Sequence, residues 1–218
     1  FEKFNLFQNY KKLTFKTFEI IYDEINYLIQ KIRFKFFIKN KKKIGLVLNV
    51  EIYETLLDID YKKQNKIILS ILKICIKNNC LLLIRRKPGW TNYKLLKKEL
   101  YKEFDKENLK KIVFCSDKFS INEYFNEVSM NLFLQGSTAI FESIRSNKPC
   151  LFLTDKNLTL MNEQYVEFPE NIVPKISLEK LEEYLTNNSD LINLLKNQKI
   201  FIDEEMEINK VRIESFDQ

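Results

Sequence analysis

The chain has 218 residues, of which 45% are hydrophobic and 13% aromatic, so it can bury a full core as one large domain or as a domain with an appendage. It contains no histidine, which excludes any zinc site, catalytic triad or general base built on a histidine of this chain. The four cysteines show no CxxC spacing and no stretch of about 18 uncharged apolar residues occurs, so we expect reduced core thiols in a cytoplasmic protein and no membrane span.

Residues 1–43 are predicted to be a helical linker, or the remnant of a preceding domain. Ile21, Ile25, Leu28 and Ile32 recur at helical spacing, which favours a packing helix. The basic and aromatic stretch over residues 34–43 then reads as a linker. The alternative is that this stretch contacts an anionic membrane, which would place the protein at the inner membrane face. The net charge of +6 is also compatible with codon bias, so it does not by itself indicate nucleic-acid binding.

From residue 44 onward, short apolar segments alternate with amphipathic ones. Strands are predicted over residues 44–50, 80–84, 111–115, 131–134 and 150–153, with an edge strand at 172–173. Helices are predicted over residues 61–78, 93–104, 178–185 and 191–200, and a short helix opens with the capping box Ser120–Glu123. This alternation is typical of an α/β domain with a parallel sheet and helices on both faces, so residues 44–218 are predicted to form one Rossmann-like domain.

The ends of the predicted strands are where such a sheet binds ligands. Arg85, Arg86 and Lys87 follow the second strand, before a Pro-Gly turn and the only Trp of the chain, and cations suit phosphate oxygens. A solvated loop is the plainer explanation of such a charge run. Asp117, after the third strand, is either close to a bound base or the cap of a turn.

The most informative segment follows the fourth strand. Gly136, Ser137 and Thr138 open a short helix, and its unpaired N–H groups and partial positive charge favour a phosphate. Glu142 lies six residues beyond the glycine, where it can accept hydrogen bonds from sugar hydroxyls or form a structural salt bridge. Together with the cations after the second strand, this segment predicts a nucleotide pocket.

Several other kinds of site are disfavoured. No GxGxxG follows the first strand and no Walker A pattern occurs, which argues against NAD and P-loop chemistry. Asp58 and Asp60 have the spacing of an Asp-x-Asp motif, but they are predicted to lie in a loop before the first helix of the domain. No metal site is therefore predicted.

Gly136, Ser137, Thr138, Glu142 and Pro149 together resemble the donor-site motif in the C-terminal domain of GT-B glycosyltransferases. The lipid II-forming N-acetylglucosaminyltransferase and the non-hydrolysing UDP-N-acetylglucosamine epimerases share this arrangement. The resemblance implies that the Gly-Ser-Thr turn meets the phosphates of the donor and that the glutamate binds the ribose hydroxyls.

The loop that begins at Arg85 is similar to the lysine/histidine-proline loop of capsule and surface-polysaccharide transferases, with Lys87 in the place of the usual histidine. Overall the chain resembles bacterial surface and capsular polysaccharide biosynthesis proteins over about residues 44–175. This implies a glycosyltransferase that binds a nucleotide-activated sugar donor, with a glycan or lipid-linked acceptor, for capsule or lipopolysaccharide biosynthesis.

The resemblance also implies the donor-binding half of a two-domain enzyme, whose acceptor site and catalytic base lie on an N-terminal domain. Lys87, with Arg85 or Arg86, and the helix start at Ser137–Thr138 would stabilise negative charge on the departing phosphate. The catalytic base is not identified in this chain, and no cofactor, metal or nucleic-acid partner is expected. A nucleotide-sugar epimerase on the same scaffold and a non-catalytic nucleotide-binding or assembly module stay open as alternatives.

Overall fold

The computed structural model describes residues 21–48, 61–86, 93–134, 137–154 and 168–216. Helix α1 covers residues 21–32 and passes into a π-helical turn over Arg33–Phe37. The further elements follow in chain order: β1 Lys43–Leu48, α2 Tyr61–Lys77, β2 Leu81–Arg86, α3 Tyr93–Glu103, α4 Lys106–Leu109, β3 Ile112–Phe114, α5 Ile121–Glu127, β4 Met130–Phe133, α6 Ala139–Arg145, β5 Cys150–Leu153, β6 Lys175–Ile176, α7 Leu178–Thr186 and α8 Asn188–Phe216.

The strands form one six-stranded sheet in the order β3-β2-β1-β4-β5-β6, and every neighbouring pair is parallel. The chain builds the sheet outward from β1 to β3 and then returns to place β4 on the other side of β1. This reversal is the topological switch point of a Rossmann fold, where the crevice for a ligand opens. The predicted α/β class and parallel sheet are confirmed.

Helices cover both faces of the sheet. Alternate residues of each strand enter opposite cores: Leu82 and Ile84 contribute to the core under α2 and α3, whereas Leu81 and Leu83 contribute to the core under α5 and α6. Strands that are buried on both faces need the continuous apolar runs from which they were predicted.

Helix α1 packs on the core under α5 and α6, although not through the apolar stripe from which the helix was predicted. Phe34 is buried, while Ile21, Ile25, Leu28 and Ile32 are each between 49% and 55% exposed. The inner contacts come instead from residues on the opposite side of the helix, such as Tyr27, whose ring meets that of Phe119 edge-on at 4.9 Å. A helix with two apolar sides gives no sequence signal for which side is buried.

Two glutamine side chains complete the hydrogen bonding of the sheet. Gln30 of α1 donates from Nε2 to the carbonyl of Phe114 at 2.9 Å and accepts from the N–H of Ser116 at 3.0 Å, beside β3. Gln198 of α8 does the same for both backbone groups of Cys150 in β5, at 2.8 and 3.1 Å. Each amide replaces the neighbouring strand that those backbone groups lack.

Two predicted boundaries were wrong. The N–H groups of Ile172 and Val173 both donate to the carbonyl of Pro169, so these residues form a turn and the edge strand begins at Lys175. Helix α8 runs to Phe216 rather than ending near residue 200, because the chain continues with good helix formers after its apolar spacing fades. Residues 1–20, within the predicted N-terminal segment, lie outside the described residues.

Candidate functional site at the carboxyl edge of the sheet

Strands β2 and β4 flank β1 and end at the same edge of the sheet. Val47 of β1 is in register with Arg85 on one side and with Phe133 on the other, so the three residues lie in one row. Neighbouring strands are about 4.8 Å apart, which places the two strand ends roughly 10 Å from each other. Strands β2 and β4 therefore end on either side of β1, at the switch point.

Arg85 lies within β2 rather than in the loop after it, because the strand extends to Arg86. Its Nη1 donates to the carbonyl of Phe119 at 2.7 Å, and its guanidinium carbon lies 5.9 Å from the ring centroid of Tyr124. The side chain thus holds the loop after β3 against the end of β2. A guanidinium has five N–H donors, so this one bond does not exhaust its capacity.

The two hydroxyl residues of the turn before α6, Ser137 and Thr138, have different environments. Ser137 is buried, and its Oγ accepts the N–H of Ala139 at 3.3 Å. Thr138 is exposed, and although it occupies the N-cap position its side chain makes no capping hydrogen bond. Of the two residues predicted to cap the helix or meet a phosphate, Ser137 therefore shapes the turn, and Thr138 presents its hydroxyl to solvent.

Glu142 sits one turn into α6 with 44% of its side chain exposed. It pairs with Arg145, whose Nη1 lies 3.6 Å from Oε1. The predicted alternative of a salt bridge is thus present, but an exposed pair of this kind contributes only about 0–1 kcal/mol. The carboxylate stays accessible to a ligand.

A buried polar network beneath the turn was not foreseen from the sequence. Asn131 in the middle of β4 is fully buried and donates to Ser143 Oγ at 2.8 Å, and that hydroxyl donates to the carbonyl of Lys148 at 3.1 Å. These bonds fix α6 on β4 and so fix the turn at its start. The available signal was an amide in an otherwise apolar strand, since a buried amide needs a partner.

The loop after β3 contacts Arg85 through the carbonyl of Phe119. Ser116 is buried and bound to α1 through Gln30, whereas Asp117 is exposed. Cys115, beside them, is kept neutral because burial raises the pKa of its thiol to about 12, against the opposing influence of Arg85. It is therefore no nucleophile for this site.

Lys87 and Gly136 lie outside the described residues, as do Asp58 and Asp60, and their roles stay predictions. In the part of the chain that the structure describes, no three Cys, Asp or Glu side chains meet as metal ligands would. None of the described helices is long and apolar enough to span a bilayer.

No protein-family model matches the chain, and no curated protein matches it. Among solved structures, the wall teichoic acid polymerase TagF (H444N variant with CDPG) superposes with a TM-score of 0.51 at 15% identity, over 80% of this chain and 39% of that one. The fold is that of a GT-B glycosyltransferase domain.

A second TagF structure, the H548A variant, gives a TM-score of 0.47 at 19% identity over 83% of this chain and 42% of that one. The pneumococcal O-GlcNAc transferase GtfA, in complex with UDP and GlcNAc, gives 0.48 at 12% identity over 81% and 36%. The chain thus spans well under half the length of these GT-B proteins. At 15% identity the likeness to the H444N structure establishes the fold alone, and chemistry has to be argued from the residues.

Proposed function

We propose that this domain binds the nucleotide of an activated sugar in a glycosyltransferase that builds a bacterial surface polysaccharide such as capsule or lipopolysaccharide. The observation that supports the proposal is that Arg85 in β2 and Phe133 in β4, the strand that precedes the turn at Ser137–Thr138, flank Val47 at the switch point of the sheet. A cation and a helix start at opposite sides of one crevice suit a diphosphate. The TagF structure with the same fold contains CDPG, which is in keeping with such a donor.

The proposed mechanism is electrostatic. Arg85, Lys87 and the N–H groups that follow Gly136 would stabilise the negative charge that develops on the departing nucleotide phosphate. Thr138 would add a hydroxyl donor, and Glu142 would accept hydrogen bonds from the ribose. The acceptor, a glycan or a lipid-linked glycan, would meet the sugar from outside this domain.

Calorimetric titration of the chain with CDP, UDP, GDP and CMP tests the proposal. We expect one nucleoside diphosphate to bind, and Glu142→Gln to weaken it about tenfold, because hydrogen bonds to a charged group are worth about 1.5–3 kcal/mol. Glu107→Gln is the matched control, since Glu107 is also an exposed helical carboxylate paired with a cation three residues away.

Failure of the folded chain to bind any of these nucleotides would contradict the proposal and favour a non-catalytic assembly module. If a nucleotide binds but the full-length protein isomerises the sugar instead of transferring it, the epimerase alternative would be correct.

We further propose that α1 contacts an anionic membrane through its outer side. Six large apolar side chains of α1 and one of the π-helical turn after it are exposed, between 49% and 70%: Ile21, Tyr22, Ile25, Leu28, Ile29 and Ile32, with Phe36. Lys35 and Lys39 are exposed beside the end of this stripe, and cations complement anionic lipids. The ring of Phe34, in the basic-aromatic stretch, is buried. We therefore propose that the contact is made by the outer side of α1 and not by that stretch.

Co-sedimentation with vesicles tests this contact. We expect binding to vesicles that contain phosphatidylglycerol and its loss in Ile25→Ser/Ile32→Ser, while Leu95→Ser, at a 55% exposed leucine of α3, leaves binding unchanged. If the chain ignores vesicles and instead dimerises through the stripe, the membrane contact is wrong.

A further inference from the structure

A second cleft opens at the opposite, N-terminal edge of the sheet. Lys43 begins β1, Ser129 precedes β4 and Pro149 precedes β5, and the cleft lies among these strand starts and the first turns of α8. Its volume is about 580 Å³, within the range of roughly 300–1,000 Å³ that is common for ligand sites. The lining residues are Lys39, Asn40, Lys41, Lys42, Ser129, Asn147, Pro149, Leu191, Ile192 and Leu195.

The lining is cationic. Lys39, Lys41 and Lys42 contribute to it, and none of the described residues that line it is acidic. The ammonium group of Lys42 is held by the carbonyl of Leu185 at 2.7 Å, at the end of α7. Lys39 and Lys41 are exposed, so their ammonium groups can move toward a bound anion.

Two further lysines lie behind the cleft and share one carboxylate. Lys43 is buried and pairs with Glu127 at 3.1 Å, and the same carboxylate is the favourable charge near Lys148. Burial lowers the pKa of Lys148, and it also lowers that of Lys42. Glu127 is thus shared by Lys43 and Lys148, while the described lining of the cleft adds Lys39, Lys41 and Lys42 and no carboxylate, so an anion in the cleft would meet positive charge.

One wall of the cleft is apolar. Leu191, Ile192 and Leu195 of α8 form it, and Ile192 is 68% exposed. An exposed isoleucine beside a lysine cluster suits a ligand that carries both charge and hydrocarbon. A plain inorganic anion would leave this wall in water.

We propose that the cleft binds a phosphate or diphosphate group that is linked to an apolar chain. Lys39 and Lys41 would bind the phosphate oxygens, the amides of Asn40 and Asn147 would add neutral donors, and the α8 wall would cover the first part of the hydrocarbon. This site is at the edge opposite the proposed nucleotide site, so neither proposal depends on the other.

Titration of the whole chain with pyrophosphate and with geranyl diphosphate tests the proposal. We expect both to bind and geranyl diphosphate to bind at least tenfold more tightly. Lys39→Gln/Lys41→Gln should weaken both ligands at least tenfold, while Ile192→Ser should remove only the advantage of the geranyl chain. The control Lys98→Gln/Lys102→Gln removes two exposed lysines of α3 and should change nothing.

Absence of binding, or an equal loss in both double-lysine variants, would overturn the proposal. Lys39→Gln/Lys41→Gln should leave the affinity for CDP or UDP unchanged, and an equal loss of nucleotide affinity would also contradict a separate site. Vesicles that contain phosphatidic acid distinguish the source of the ligand: release of geranyl diphosphate by the vesicles identifies a membrane lipid, and its retention identifies a soluble amphiphile.

Discussion

Gly45 occupies the centre of the sheet, in the strand that separates β2 from β4. A Cβ at this position would lie 2.1 Å from Asn131 Oδ1 and 2.6 Å from the hydroxyl oxygen of Tyr124. That hydroxyl donates to the carbonyl of Leu83 at 3.1 Å, so the ring cannot easily move. The glycine therefore makes room for two polar side chains that hold α5 and α6 against the sheet.

Gly45→Ala should lower the free energy of unfolding by about 1–3 kcal/mol, because overpacking a dense core forces strained side chains. Urea denaturation followed by circular dichroism measures the change. The double variant Gly45→Ala/Asn131→Ala removes the nearest clash, so we expect it to lose less than the sum of the two single variants. Simple additivity would show that the clash is not the cause.

The polar groups of the candidate site could be predicted only in part. Gly, Ser and Thr before a helix indicated the turn, but its split into a buried Ser137 and an exposed Thr138 depends on backbone geometry. Arg85 was predicted in a loop, since an arginine in a buried parallel strand is unusual, and only its contact with Phe119 explains the extended strand.

Glu123 connects two elements, α1 and α5. Its carboxylate completes the predicted capping box with the Ser120 N–H, pairs with Lys31 at 2.7 Å and accepts from the Tyr27 hydroxyl at 2.8 Å. These partners, Lys31 first and then Ser120, lower the pKa of Glu123 to about 2. The sequence predicted the cap, but not that the same carboxylate anchors α1.

Because the pKa of Glu123 in the folded chain is below its ordinary value of 4.5, its contribution to stability is complete above pH 4.5 and is lost as the pH falls toward 2. We expect the amides of α1 to exchange with solvent faster over that interval, as measured by hydrogen exchange. Glu123→Gln should show fast exchange in α1 already at pH 6, whereas the exposed control Glu107→Gln should behave as the unaltered chain does. Equal protection of α1 at pH 6 in both variants would contradict this role.

Most strands and helices could be predicted from the local sequence pattern, whereas the contacts between them could not. Continuous apolar runs predicted the positions of five strands to within a few residues, because strands that are buried on both faces are apolar at successive positions instead of alternating with polar residues. The apolar side of α1 was evident from spacing, but the sequence has a second apolar side, and only the sheet decides which one is buried. The pairing of Asn131 with Ser143 likewise needs α6 to lie over β4.

At the scale of the whole molecule, three thiols report on both cores. Cys75 belongs to α2 and lies in the core on that face of the sheet, whereas Cys115 and Cys150 lie in the opposite core. Burial raises the pKa of all three thiols, to about 12 for Cys115 and Cys150. We expect a thiol reagent at pH 8 to label all three at one common rate in dilute urea, that of global unfolding.

Since these pKa values lie above the unfolded value of 9.0, the stabilisation from the neutral thiols is present below pH 9 and is lost as the pH rises toward 12. Cys115→Ala/Cys150→Ala should reduce this alkaline loss, as urea denaturation at pH 8 and pH 10.5 would show. Rapid labelling of Cys75 alone would mean that the two cores open separately.

Gln30 and Gln198 act at the two margins of the sheet, and this has a bearing on self-association. A free strand margin offers a template on which a second chain can polymerise. Here one helix amide occupies the margin at β3, and another occupies the part of β5 that the short β6 leaves uncovered. Replacing either glutamine by an apolar residue would leave these backbone groups free to pair with a strand of another chain. The two glutamines therefore oppose aggregation as well as stabilising the fold.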